Sequence, residues 1–173
     1  MGLSAAISGG IMIFTMIYVM MSFPTLLDDT AKVSRSSSDM SNTLNDIMHT
    51  NINISNLQDK SGEPSIVTFS IINSGNTILW DYNKFDVIVT YPPTSIGNQV
   101  TSVLQYSNNC SALLTDQWCI SNISNDLIHP GILDPGETAN IQAQLSSTVK
   151  GGIITMNFVT DNGIVTSSSV TIS

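Results

Sequence analysis

The sequence predicts an all-β sandwich domain preceded by one long N-terminal helix. Three observations predict it. Residues 1–27 are largely apolar and carry no charged side chain. From His49 onward, apolar residues alternate with polar ones at the two-residue period of half-buried strands. Clusters of Asn, Asp, Gly and Pro, the residues of tight turns, separate those alternating runs.

The helix comes first. Residues 3–27 read LSAAISGGIMIFTMIYVMMSFPTLL. An uncharged run of about 20 residues, rising 1.5 Å each, spans a hydrocarbon core of roughly 30 Å. Lipid offers the backbone no hydrogen-bond partners, so such a segment is helical. No Lys or Arg precedes the run and no A-x-A cleavage pattern follows it, unlike a secretory signal. The expectation is an uncleaved single-pass anchor over 1–27, with the rest of the chain on the extracellular side of the cell membrane. Near its start, Ser4 and Ser8, Ala5 and Gly9, and Ala6 and Gly10 are each four residues apart. That spacing lets two helix backbones approach closely in lipid, and it also fits ordinary membrane Gly and Ala. Met12, Met16 and Met20 form an adaptable packing stripe. Pro24 is expected to kink or end the helix.

Residues 28–48 form a neck. Leu26, Val33, Met40 and Ile47 recur every seven residues, and Thr30, Ser37 and Leu44 fill the intervening seam. This is a short heptad pattern, predicting a helical neck that self-associates into a dimer or larger oligomer. Ser36, Ser37 and Ser38 lower helix propensity, so a Ser-rich linker is the alternative.

Residues 49–173 form the β domain. Ile52 and Ile54 alternate with polar neighbours, and further strands are predicted at 65–73, 84–91, 99–106, 138–145, 152–160 and 164–172. Turn signals lie at Asn73-Ser74-Gly75, Pro92-Pro93, Asp134-Pro135-Gly136 and Asn162-Gly163. About seven short strands with almost no helix indicate an immunoglobulin-like sandwich.

The formal net charge is −8, and the five Lys and Arg residues are scattered. Such a surface repels phosphate, which excludes nucleic acid as a partner. Cys110 and Cys119 lie in CSALLTDQWC. They can close a small disulfide loop, which implies an oxidising compartment, or remain buried thiols. Metal binding needs more ligands than the two, and His49 and His129 are distant in sequence. Sequons at Asn53, Asn109 and Asn122 are candidate glycosylation sites.

No residue pattern assembles a catalytic site. G-x-S-x-G, H-E-x-x-H and phosphate-cradling loops are all missing from the sequence. The carboxylate pairs Asp81 with Asp86 and Asp134 with Glu137 sit at turns, where turn chemistry explains them better than calcium or acid–base work. The expectation is a non-enzyme without cofactors. Residues 108–125 read as a long irregular stretch, and loops on a rigid sandwich often carry recognition. Trp118, Leu113 and Leu114 are therefore the predicted partner-binding loop, although Trp80 or Trp118 could instead fill the core.

The start Met1-Gly2-Leu3-Ser4, running directly into an uncharged helix, resembles the archaellum accessory proteins FlaF and FlaG. So do FSIINSGNTILWDYNKFDVIV at 69–89 and ILDPGETANIQAQL at 132–145. The resemblance implies a membrane helix with an immunoglobulin-like domain in the space beneath the S-layer. A FlaF-like chain would bind S-layer protein and hold the motility motor stationary as a stator component. Its other partners would be FlaG-like accessory subunits and the lipid around its helix. A FlaG-like chain would instead form filaments. An archaellin or pilin-like subunit resembles this layout too, but carries a basic leader, whereas no basic residue precedes Lys32 here.

Overall fold

The computed structural model describes residues 2–60, 62–94 and 97–172, except the side chains of residues 2–6, 23, 25, 26 and 64. The predicted packing residues Ser4, Ala5 and Ala6 and the neck residue Leu26 thus lie outside the described side chains. The chain divides into two compact units, Met1–Leu44 and Asn45–Ser173. The boundary falls four residues before the one expected from sequence, because the last helical turn belongs to the β unit.

One helix, α1 (Gly2–His49), forms the first unit and enters the second. It is long and apolar enough to cross a membrane. Its described side chains from Ile7 to Met21 are almost all exposed, among them Ile11, Phe14, Ile17 and Met20. An apolar surface of that extent is unstable in water and calls for lipid or other chains around it. Two hydroxyls inside the run, those of Thr15 and Ser22, are turned back onto the helix. Thr15 Oγ1 donates to the carbonyls of Ile11 (3.1 Å) and Met12 (2.9 Å), and Ser22 Oγ donates to Tyr18 O at 2.7 Å. Such back-bonding satisfies a polar group where water is scarce. Just past the apolar run, Lys32 pairs with Asp28 at 2.6 Å one turn away.

The sequence left two alternatives open along this helix, and the structure takes one side of each. α1 does not end at Pro24 but runs through it. Proline removes one N–H, and the turns on either side keep the helix going. Nor does it break at Ser36–Ser38: the neck is helical throughout. Val33, Met40 and Leu44 all lie exposed on it.

The β unit has eight strands: β1 (Ile52–Lys60), β2 (Glu63–Asn73), β3 (Asp86–Tyr91), β4 (Val100–Tyr106), β5 (Gln117–Ser124), β6 (Thr138–Gln144), β7 (Gly152–Val159) and β8 (Val165–Ile172). Their order is β1-β2-β6-β5-β4-β3-β7-β8. Two antiparallel halves, β1-β2-β6-β5 and β4-β3-β7-β8, are joined by one short parallel ladder in which Gln105 faces Gln117 and Tyr106 faces Trp118. The strand row curls round until β1 and β8 lie alongside each other without a ladder. The predicted β-sandwich is present, with one strand more than expected.

That extra strand is β5, inside the stretch read as an irregular loop. Trp118 points inward and is fully buried. It sits opposite Ala143 in the β5/β6 ladder, and β6 offers Ala139 and Ala143 to the core, which leaves room for an indole. Edge-to-face rings surround the centre: Trp118 with Phe158 at 5.8 Å, Phe85 with Phe158 at 5.6 Å, and Phe69 with Phe158 at 6.4 Å. Val67, Phe69 and Ile71 of β2, and Val87, Val89 and Tyr91 of β3, face inward at every second position.

Candidate functional site

Two features of the β unit are candidates for function: the seat of the last helical turn, and the surface around it.

A helix leaves its last four carbonyls without intrahelical donors. In α1 two of them, those of Asp46 and His49, are met by loops of the sandwich. Asn76 N–H donates to His49 O at 2.7 Å. Asp46 O accepts from Thr50 Oγ1 at 2.7 Å, from Thr77 Oγ1 at 3.3 Å and from Asn162 Nδ2 at 3.5 Å. Asn162 Nδ2 also donates to Thr50 Oγ1 at 2.6 Å, and Thr160 Oγ1 donates to Asn162 Oδ1. The β2–β3 loop and the β7–β8 turn thus cap the helix jointly. Ser74 N–H bonds Asn51 O at 2.9 Å, drawing the start of β1 into the same seat.

Gly75 makes the approach feasible. A Cβ there would lie 2.4 Å from Asn51 N and 2.5 Å from His49 O, both backbone atoms. Beneath the loop, Asn73 is fully buried. Its Nδ2 donates to Thr77 O (2.8 Å) and Leu133 O (3.1 Å), while its Oδ1 accepts from Gly75 N. Leu79 and Leu133 exchange backbone bonds of 3.1 and 2.9 Å, and Gly136 N–H donates to Asn73 O. The two sequence segments that carry the family resemblance therefore pack against each other at this seat. Asp134-Pro135-Gly136-Glu137 is a closed turn: Glu137 Oε2 accepts from Asp134 N at 2.9 Å, with Gly136 at φ 85°.

Beside the seat runs a groove of about 630 Å³, lined by Asn45, Asp46, His49, Asn76, Thr77, Ile78 and Trp80. Trp80 is 63% exposed there, so of the two tryptophans it is the surface one. Of the predicted partner-binding loop, Leu114 is exposed and Leu113 half-buried, but Trp118 belongs to the core and cannot contact a partner. Leu127 and Ile128, on the loop before β6, form an exposed apolar pair that sequence reading missed. Their isolation in a polar loop was the available signal.

Cys110 and Cys119 are joined in a disulfide. It ties the short 3-10 turn Cys110–Ala112 over the outer side of β5, which leaves Cys119 buried as well as Trp118. The sequon asparagines Asn53, Asn109 and Asn122 are all exposed. Asn109 Oδ1 accepts from Ser111 N at 3.0 Å, and Asn53 Nδ2 donates to Ser74 Oγ at 2.9 Å.

Several ionisable side chains have local partners. His129 Nδ1 lies 3.0 Å from the buried Asp134 carboxylate. Lys84 pairs with Asp81 at 2.8 Å, and that hydrogen bond raises the lysine above its ordinary pKa. Burial pushes the Tyr82 phenol well up, and the Tyr106 phenol up also. Among the described residues, no group of three or more His, Cys, Asp and Glu is placed to hold a metal.

These features define a class: a β-sandwich capping the end of a long, apolar, outward-facing helix. No protein-family model and no curated protein matches the chain. Two of its structural neighbours are archaellum stator proteins. The archaellum periplasmic stator protein FlaG from Sulfolobus acidocaldarius is similar at 20% identity and a TM-score of 0.47, over 70% of this chain and 99% of that one. The FlaF and FlaG stator complex from the same organism is similar at 19% identity and a TM-score of 0.49, over 69% and 87%. At TM-scores below 0.5, neither likeness bears on function.

Proposed function

We propose that this chain is a non-catalytic, membrane-anchored accessory component of an archaellum, whose sandwich binds the S-layer and holds the motor stationary. The observation behind this reading is the joint cap on α1. A stationary part under torque needs a hold in the membrane and a hold on the wall. The charge-free helix supplies the first hold. Bonds from two separate loops hold the last turn of α1 on the sandwich. The sandwich surface supplies the second hold, and self-association through the neck would multiply weak contacts through avidity. The resemblance of residues 69–89 and 132–145 to FlaF and FlaG supports the same class.

The full chain in detergent micelles, mixed with solubilised S-layer protein, is expected to bring that protein down. Absence of binding at high micromolar concentration would overturn the S-layer assignment. Growth of the purified chain into filaments, seen by electron microscopy, would replace it with the filament-forming role.

A further inference from the structure

The outer face of the β1-β2-β6-β5 half holds a trough of about 290 Å³, lined by Asn56, Gln58, Thr68, Ser70, Asn140 and Gln142 with their neighbours. Its shape has a local cause. The two strands bordering β2 and β6 are both bulged: β1 between Ser55 and Gln58, with Asn56 at φ 53°, and β5 between Ile120 and Asn122. A bulge bends its strand and increases twist, so a bulge on each flank curves the face between them.

None of the trough's lining residues is charged. Part of the floor is fixed: Ser70 Oγ donates to Asn140 Oδ1 at 2.8 Å, and Asn140 Nδ2 donates to Asn122 Oδ1 at 3.2 Å. Ser121 Oγ donates to Asn140 O at 2.9 Å. The side-chain amides of Asn56, Gln58 and Gln142 have no protein hydrogen bond among the described residues. Each offers a donor and an acceptor side by side.

Ligand classes can be eliminated on these groups. An anion finds no cation and a cation finds no carboxylate. An apolar ligand finds Phe69 and Ile141 buried beneath the sheet. An extended peptide finds no free strand edge, because β2 and β6 are paired on both sides. What remains is a neutral ligand dense in hydroxyls, each both donor and acceptor like the amides it meets.

We propose that this trough binds a neutral carbohydrate chain, independently of the tether reading above. No aromatic ring faces the trough, so each site binds weakly, on the order of 1 mM. The sugar has two sources. It is the chain's own N-linked glycan on Asn122, whose side chain accepts a hydrogen bond from the lining residue Asn140 at 3.2 Å, or a glycan on another molecule.

Saturation-transfer NMR tests this on the full chain in a detergent without sugar head groups. The probes are maltoheptaose, a mannan oligosaccharide and a chitooligosaccharide, with a sulfated oligosaccharide as the charged control. Unglycosylated protein is expected to transfer saturation to at least one neutral probe and not to the sulfated one. Gln58→Ala with Gln142→Ala is expected to cut the signal by ~10-fold. Thr155→Ala with Ser169→Ala, on the other half of the sandwich, is expected to leave it unchanged. Binding lost in natively glycosylated protein and restored by Asn122→Gln assigns the trough to the chain's own glycan. Binding retained in both preparations assigns it to an external one. No transfer to any neutral probe at several times that concentration, or undiminished transfer in the Gln58/Gln142 double variant with an unchanged unfolding midpoint, overturns the proposal.

Discussion

Substituting Gly75 by alanine tests the seat of α1 directly. The added methyl would stand 2.4 Å from Asn51 N and 2.5 Å from His49 O. Both are backbone atoms, so no rotamer change relieves the clash. Overpacking of this kind costs about 1–3 kcal/mol. If the loop withdraws instead, the bonds from Asn76 N to His49 O and from Ser74 N to Asn51 O are lost. Each contributes roughly 1 kcal/mol. By either route the loss is about 2 kcal/mol, a large fraction of a total stability of ~5–15 kcal/mol. The expected fall in Tm is roughly 10 °C. Circular dichroism of the strand signal, followed on heating, reads it out. Gly62→Ala is the reference, since that residue has φ 84° but open space where the methyl would go, and it should lose only about 1 kcal/mol. If Gly75→Ala melts with the wild type, or above Gly62→Ala, the close approach is not there and the cap reasoning fails with it.

Three further outcomes follow from the core and the loops. Trp118→Ala should destabilise the sandwich by ~3–5 kcal/mol. Trp118→Phe should lose clearly less, because the indole N–H it removes is buried without a partner; denaturant titration orders the two. Reducing the Cys110–Cys119 bond should lower stability by ~2–3 kcal/mol by the loop-closure estimate, seen as a shift in urea midpoint that Cys110→Ser with Cys119→Ser reproduces. The Tyr82 phenol is held above its ordinary pKa of 10.0 by burial. Its neutral form is favoured in the fold, so its stabilisation is complete below pH 10 and is lost as pH rises above that. Tyr82→Phe should therefore flatten the alkaline decline of Tm.

Much of the architecture was legible because it is periodic. β2, β3 and β6 put inward residues at every second position, and their alternation survives in the fold. β5 was illegible because its alternation is broken twice. The disulfide buries Cys119 on the outer side next to Trp118 on the inner side, and the bulge at Ser121 then shifts the phase. β1 was half legible for a similar reason: Ile52 and Ile54 announce it, and the bulge after Ser55 hands the buried position to Leu57. The cap on α1 left no local trace. Thr77 lies 31 residues from its acceptor Asp46 and Asn162 lies 116 from it, so only the closed fold makes them neighbours. The family-like segments were read as separate turns, and their shared purpose appears only where Leu79 meets Leu133.

The placement of Asn162 has a consequence for how the molecule is completed. It reaches Thr50 across 112 residues of sequence, from the turn between the last two strands. The element made early in synthesis therefore waits for one made late before its end is properly finished. A chain shortened ahead of that hairpin loses β7 and β8, with Ile154, Met156 and Phe158 of the core, as well as this bond.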